Sequence, residues 1–118
     1  MKKLALILLL LFPFILTGCV STKDLESRGK QTVVIENDCE WAMKLNIRLN
    51  DFSGYQICSL DLEREPVTIE LYNDTDYVFE INGVYDSITN KKAIKYKSQT
   101  YILIDWDIYK GDYRIRYR

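Results

Sequence analysis

The chain has 118 residues, 16 basic against 17 acidic, and not one histidine. With no basic excess it carries no field that would draw nucleic acid or a polyanionic surface. Without histidine it lacks the base of Ser-His-Asp and Cys-His nucleophile arrangements, and the commonest ligand for zinc, copper and nickel.

Lys2 and Lys3 open the chain, an apolar run covers residues 4–16, and Leu16-Thr17-Gly18-Cys19 closes it. A basic start, an apolar stretch and small residues at the end are the layout of an export signal. A spanning helix requires ~20 apolar residues, more than this run offers, and Pro13 interrupts it. The closing four residues resemble the lipobox of bacterial lipoproteins. That resemblance implies a signal peptide over 1–18, cleavage before Cys19, and a diacylglycerol on the Cys19 thiol. Acyl chains of the palmitate class then make the membrane anchor, since more than one chain holds firmly where a single chain binds only reversibly. Val20 follows the cysteine. An aspartate there resembles an inner-membrane retention signal, so its absence implies the outer membrane, with the domain facing the periplasm.

Residues 19–31 are polar and charged, with Leu25 almost the only apolar side chain, and are expected to be a flexible tether. The folded part is then 32–118, one domain with a modest core. Of three cysteines, the anchor uses one and leaves Cys39 and Cys58. In an oxidising compartment that even pair reads as a structural disulfide, which would stabilise the fold by ~3 kcal/mol in the chain-entropy model. No C-x-x-C spacing supports a redox-active pair.

Past Thr32 the pattern has period two. Val33 and Ile35 mark a first strand. Trp41, Met43, Leu45, Ile47 and Leu49 share one face of a second, with Lys44, Asn46 and Arg48 on the other, as in an antiparallel sheet packed on one side. A loop at 50–54 and a strand carrying Cys58 follow. Val67, Ile69 and Leu71, then Tyr77, Phe79 and Ile81, flank the polar turn 73–76 and predict a β-hairpin. Asn82-Gly83 reads as a further turn, 84–92 as a loop with some extended structure, and 93–97 as a short strand. Residues 101–106 are apolar at nearly every position, which predicts a central strand. After Lys110-Gly111-Asp112, Tyr113, Ile115 and Tyr117 alternate with Arg114, Arg116 and Arg118, reading as a charged edge that discourages further pairing, or as a contact surface.

About eight short strands without helical periodicity predict an all-β fold, a small antiparallel sandwich, with a small barrel as the alternative. The turn at Gly111-Asp112-Tyr113 and the alternation after it resemble the last hairpin of immunoglobulin-like or transthyretin-like sandwiches.

No Gly-rich phosphate loop and no G-x-S-x-G elbow occurs. Asp74 with Asp76, and Asp105 with Asp107, are the carboxylate pairs that acid/base work on a glycan or calcium binding would use, Trp106 serving as a sugar platform. Aspartates also end strands simply by satisfying local backbone groups, and no fuller ligand or catalytic pattern surrounds either pair. The chain is therefore read as a non-enzyme with no cofactor and no metal. Nine tyrosines, all after residue 50, suit half-buried strand positions and binding surfaces alike. Tyr72 and Trp106, expected opposite their strands' main apolar sets, are the candidate partner contacts, together with Arg114 and Arg116. The expected function is an envelope lipoprotein that binds or positions a protein partner. Alternatives are a periplasmic inhibitor or immunity protein acting through a loop at 52–55 or 84–90, as lysozyme inhibitors resemble, and a glycan or peptidoglycan binder.

Overall fold

A computed structural model of the chain describes residues 22–84 and 89–118. The signal-like segment and Cys19 lie outside the described residues, as does most of the 84–90 loop. A short helix α1 (Thr22–Ser27) precedes eight strands: β1 (Lys30–Asn37), β2 (Met43–Leu49), β3 (Gln56–Leu62), β4 (Val67–Tyr72), β5 (Thr75–Gly83), β6 (Asn90–Tyr96), β7 (Tyr101–Asp107) and β8 (Asp112–Tyr117). They form two four-stranded sheets, ordered β4-β1-β7-β8 and β3-β2-β5-β6. Every pairing is antiparallel except β1 with β7, which run parallel with Val34 opposite Tyr101 and Asn37 opposite Ile104.

The sheets pack face to face as a sandwich and do not close into a barrel. The alternating residues supply the core: Val33, Ile35 and Ile104 from one sheet and Leu45, Ile47 and Phe79 from the other are all fully buried. Burying such side chains contributes about 1.5–3 kcal/mol each, which is what holds two half-wet sheets together. In immunoglobulin constant domains the first two strands pair within one sheet. Here β1 and β2 lie in different sheets, so the strand order differs from that of an immunoglobulin constant domain.

Three sequence expectations are corrected. The segment 73–76 does not close a hairpin: β4 pairs with β1 and β5 with β2 and β6, so the turn carries the chain from one sheet to the other. Asp74 there adopts φ 49°, and its carbonyl accepts a hydrogen bond from Arg28 Nη1 at 3.0 Å. Asn82-Gly83 is no turn but the end of β5, where Gly83 pairs with Met43. The expected tether also ends early. Leu25 of α1 is only 5% exposed within the core, and Lys30 and Gln31 already pair in β1.

The strand directions define two ends. The lower end gathers α1, the 50–55 loop, the 73–74 turn and the start of β1, and there the N-terminal segment joins the fold. The upper end gathers the 38–42 and 63–66 crossovers, Val84 and the 108–111 turn.

Candidate functional site

Among the described residues, the large apolar side chains left in solvent sort by end, apart from Tyr117 on edge strand β8. Phe52 (75% exposed) and Tyr55 lie at the lower end, while Val84, Ile108 (78%) and Tyr109 (98%) lie at the upper. Exposed apolar groups that sit together mark contact surfaces more reliably than scattered ones.

The upper end is stiff. Asp107 Oδ1 accepts hydrogen bonds from the backbone N–H groups of Tyr109 (3.0 Å) and Lys110 (3.2 Å). The Gly111 N–H closes the turn onto the Asp107 carbonyl at 2.8 Å, with Gly111 at φ 63°, a conformation glycine adopts without strain. Ile108 and Tyr109 are thus held outward by the backbone rather than left on a floppy loop. At the base of this turn, Trp106 meets Tyr113 edge to face with ring centroids 5.0 Å apart, and meets Trp41 at 5.7 Å. Trp41 Nε1 donates to Tyr113 Oη at 2.9 Å, tying the 38–42 crossover to β8. Trp41 also lines a neighbouring open cleft of about 450 Å³, together with Asn37, Cys39, Glu40, Glu63, Arg64 and Glu65.

Asn37 organises that cleft. Its side-chain amide donates to the Trp41 carbonyl (2.8 Å) and the Leu62 carbonyl (3.1 Å), and its Oδ1 accepts from the Cys39 N–H (2.8 Å). This places Cys39 at the Leu62 end of β3, whereas Cys58 lies four residues back along the strand, facing Ile47. Four extended residues span about 13 Å, and a disulfide requires Cα atoms within ~7 Å. The expected Cys39–Cys58 bridge is therefore absent, and both thiols are free. Burial first, then the Asp105 and Asp38 carboxylates, push the Cys39 thiol up to about 11; burial also raises Cys58. Protonated thiols are poor nucleophiles at neutral pH, so these two serve as small apolar packing groups beside the core.

Neither the sequence of the whole chain nor any part of it matches a protein-family model or a curated protein. The site must be read from its own geometry.

The other expected contact residues do not assemble into one surface. Tyr72 ends β4 at the lower end, half-buried, with Lys30 Nζ 5.1 Å from its ring centroid. Trp106 lies roughly 30 Å away along the strand direction. It shares the inward face of Ile102 and Ile104 and packs against the core, so it is not the outward contact expected. Arg114 and Arg116 are outward on edge strand β8, but both are engaged. Arg114 grips Asp105 with two hydrogen bonds (3.0 and 2.8 Å), and Arg116 Nη2 reaches the same carboxylate at 2.7 Å. The hydrogen bond from Arg114 leads the causes that hold the Asp105 carboxyl below the usual carboxylate range. That is opposite to the direction a general acid requires. Asp107 is occupied with its turn, and Asp74 with its left-handed corner. A flat row of exposed aromatics, which a glycan platform would use, is replaced at the upper end by an edge-to-face cluster that is partly buried.

Ile108 and Tyr109 escaped the sequence reading. Their signal was two bulky apolar residues inside a turn bounded by Asp107 and Gly111, where polar residues are the rule.

Proposed function

We propose that this chain is a membrane-anchored envelope lipoprotein whose non-catalytic β domain binds a protein partner through its upper end. The observation that carries the reading is the pair Ile108 and Tyr109, held out in solvent by a backbone-pinned turn at the end opposite to where the N-terminal segment joins. A rigid aromatic presented this way loses little conformational freedom on binding, which is what makes such residues effective anchors. The adjacent cleft, with Glu40, Glu63 and Glu65 against Arg64, favours a partner carrying complementary basic groups. The lipobox-like residues and Val20 support a diacylglycerol anchor on Cys19 and residence at the periplasmic face of the outer membrane.

A second reading rests on the same stiff turn. A protruding, pre-organised loop is also the shape with which an inhibitor fills an enzyme cleft, so a hydrolase or toxin of the envelope is the alternative partner.

One experiment separates them: affinity capture from crosslinked native cells with the lipidated protein, with Cys19→Ser, and with Tyr109→Ala. An envelope partner that is retained by the parent, lost from Cys19→Ser and reduced about 10- to 100-fold in affinity by Tyr109→Ala is the expected result. A hydrolase captured with or without the anchor would establish the inhibitor reading instead. Binding indifferent to Tyr109→Ala would overturn the assignment of the upper end.

A further inference from the structure

Phe52 and Tyr55 have no role in the partner-binding end, yet they are as exposed as many interface residues, at 75% and 64%. Their loop is as well built as the upper turn. Asp51 Oδ1 accepts from the N–H groups of Ser53 (2.9 Å) and Gly54 (3.1 Å), Leu49 N–H donates to the Tyr55 carbonyl (2.9 Å), and Arg48 Nη1 reaches the Gly54 carbonyl (3.3 Å). The root of the loop packs beside α1: Asn50 and Asp51 share a cleft of about 150 Å³ with Leu25 and Arg28. The loop therefore projects from the same end at which the chain arrives from Cys19.

We infer that this loop docks on the lipid surface that holds the anchor, with Phe52 and Tyr55 seated among the headgroups. The inference rests on the lipoprotein reading and adds an orientation to it. Its warrant is the length of chain between anchor and fold. Three peptide steps separate Cys19 from Thr22, the first residue of α1, and at 3.8 Å per step they reach no farther than about 11 Å. Each headgroup layer is itself about 5–8 Å thick, half the difference between the full bilayer and its hydrocarbon core. On so short a leash the lower end of the domain meets the surface. Tyr55, with an apolar body and a polar tip, is of the kind that settles at that depth, and Phe52 beside it adds apolar area to bury at the boundary of headgroups and acyl chains. Charge does not drive the contact, because Arg28, Lys30, Lys97 and Arg118 share this end with Asp51, Asp74 and Asp76. Zwitterionic lipid therefore suffices, and added salt leaves the docking intact. Seated this way, the sandwich points Ile108 and Tyr109 away from the membrane.

The test uses the full lipidated chain, reconstituted into phosphatidylcholine vesicles with or without bromine on the acyl chains near the headgroup. Phe52→Trp and Tyr109→Trp place a reporter at either end, and each is compared with the parent protein, which carries only Trp41 and Trp106. The added emission of Phe52→Trp is expected to be shifted to the blue and lost in brominated vesicles, at low and high salt alike, while that of Tyr109→Trp is unchanged. Equal quenching at both ends, or none at Phe52→Trp, would overturn the docking. Intact mass assigns the failure. Acylated protein without quenching removes the docking and leaves the anchor, whereas protein without acyl chains on Cys19 removes both.

Discussion

A β-carbon on Gly83 would lie 2.7 Å from Tyr113 Oη and 3.4 Å from Trp41 Nε1. The glycine is there because three elements converge on its space: the end of β5, the 38–42 crossover and β8. Gly83→Ala is expected to lower stability by about 1–3 kcal/mol through overpacking, measured by denaturant unfolding. Tyr113→Phe removes the hydrogen bond from Trp41, at about 1 kcal/mol, but also removes the atom nearest the new methyl group. In the Tyr113→Phe background Gly83→Ala should therefore cost less, so the double mutant should be less destabilised than the sum of the two single substitutions. Asp105 offers a second test at this scale. Its carboxyl is held below the ordinary range by Arg114 and Arg116, so the ionised form is favoured more in the folded chain than in the unfolded one. The stability this contributes is fully present above the unfolded pKa of ~3.9 and is lost as pH falls through the lower folded value. Asp105→Asn should lower stability by ~2 kcal/mol at pH 7 and show a shallower decline below pH ~4 than the parent. These residue contacts were only partly legible beforehand. The inward face of Trp106 is not legible in the sequence, because residues 101–106 are apolar almost throughout and leave no alternation to fix it; Leu103, outward, is itself 3% exposed.

Helix α1 shows how little of an element can be read when one side chain decides it. Six residues make too short a helix to persist alone in water. Leu25 holds it, buried to 5% exposure, while the side chain of Arg28 bonds the Asp74 carbonyl and Thr75 Oγ1. Leu25→Ala is expected to destabilise by about 2–3 kcal/mol, and hydrogen exchange over 22–29 should rise towards that of an unstructured segment. Unchanged exchange would mean the helix does not depend on that docking. A lone leucine among charges resembles a tether in sequence, because no period is visible over six residues. Strands with clean alternation, β2 and β5, are legible for the opposite reason: each repeats its apolar inward face three or more times. Partners were less legible than elements. Two alternating runs around 73–76 fit a hairpin and a sheet-to-sheet corner equally well, since the pattern records which face is dry but not which neighbour supplies the hydrogen bonds. The expected disulfide failed likewise, because spacing in sequence places neither Cys39 nor Cys58 along β3.

At the scale of the molecule, the sandwich separates its exposed apolar groups, Tyr117 of edge strand β8 apart, into two sets about one strand-length from each other. Each set is fixed by local hydrogen bonds to the backbone, and α1 joins the fold at the lower end. The arrangement suits the proposed division of roles on one small domain: lipid against Phe52 below, a partner against Ile108 and Tyr109 above. Two of the four edge strands engage their charges within the fold: β8 lays Arg114 and Arg116 over Asp105, and Lys92 of β6 pairs with Asp112 across the sandwich. Composition hinted at this in its tyrosines, but their division between core, edge and end is a property of the folded order and not of the sequence pattern. The most direct measurement is a photo-crosslinking amino acid at position 109 in living cells, with position 95 as control, exposed on β6 opposite Asp76 and well away from the upper end. One discrete protein adduct at 109, absent at 95, is the predicted result. No adduct at 109, or the same adducts at both positions, would contradict a partner-binding upper end.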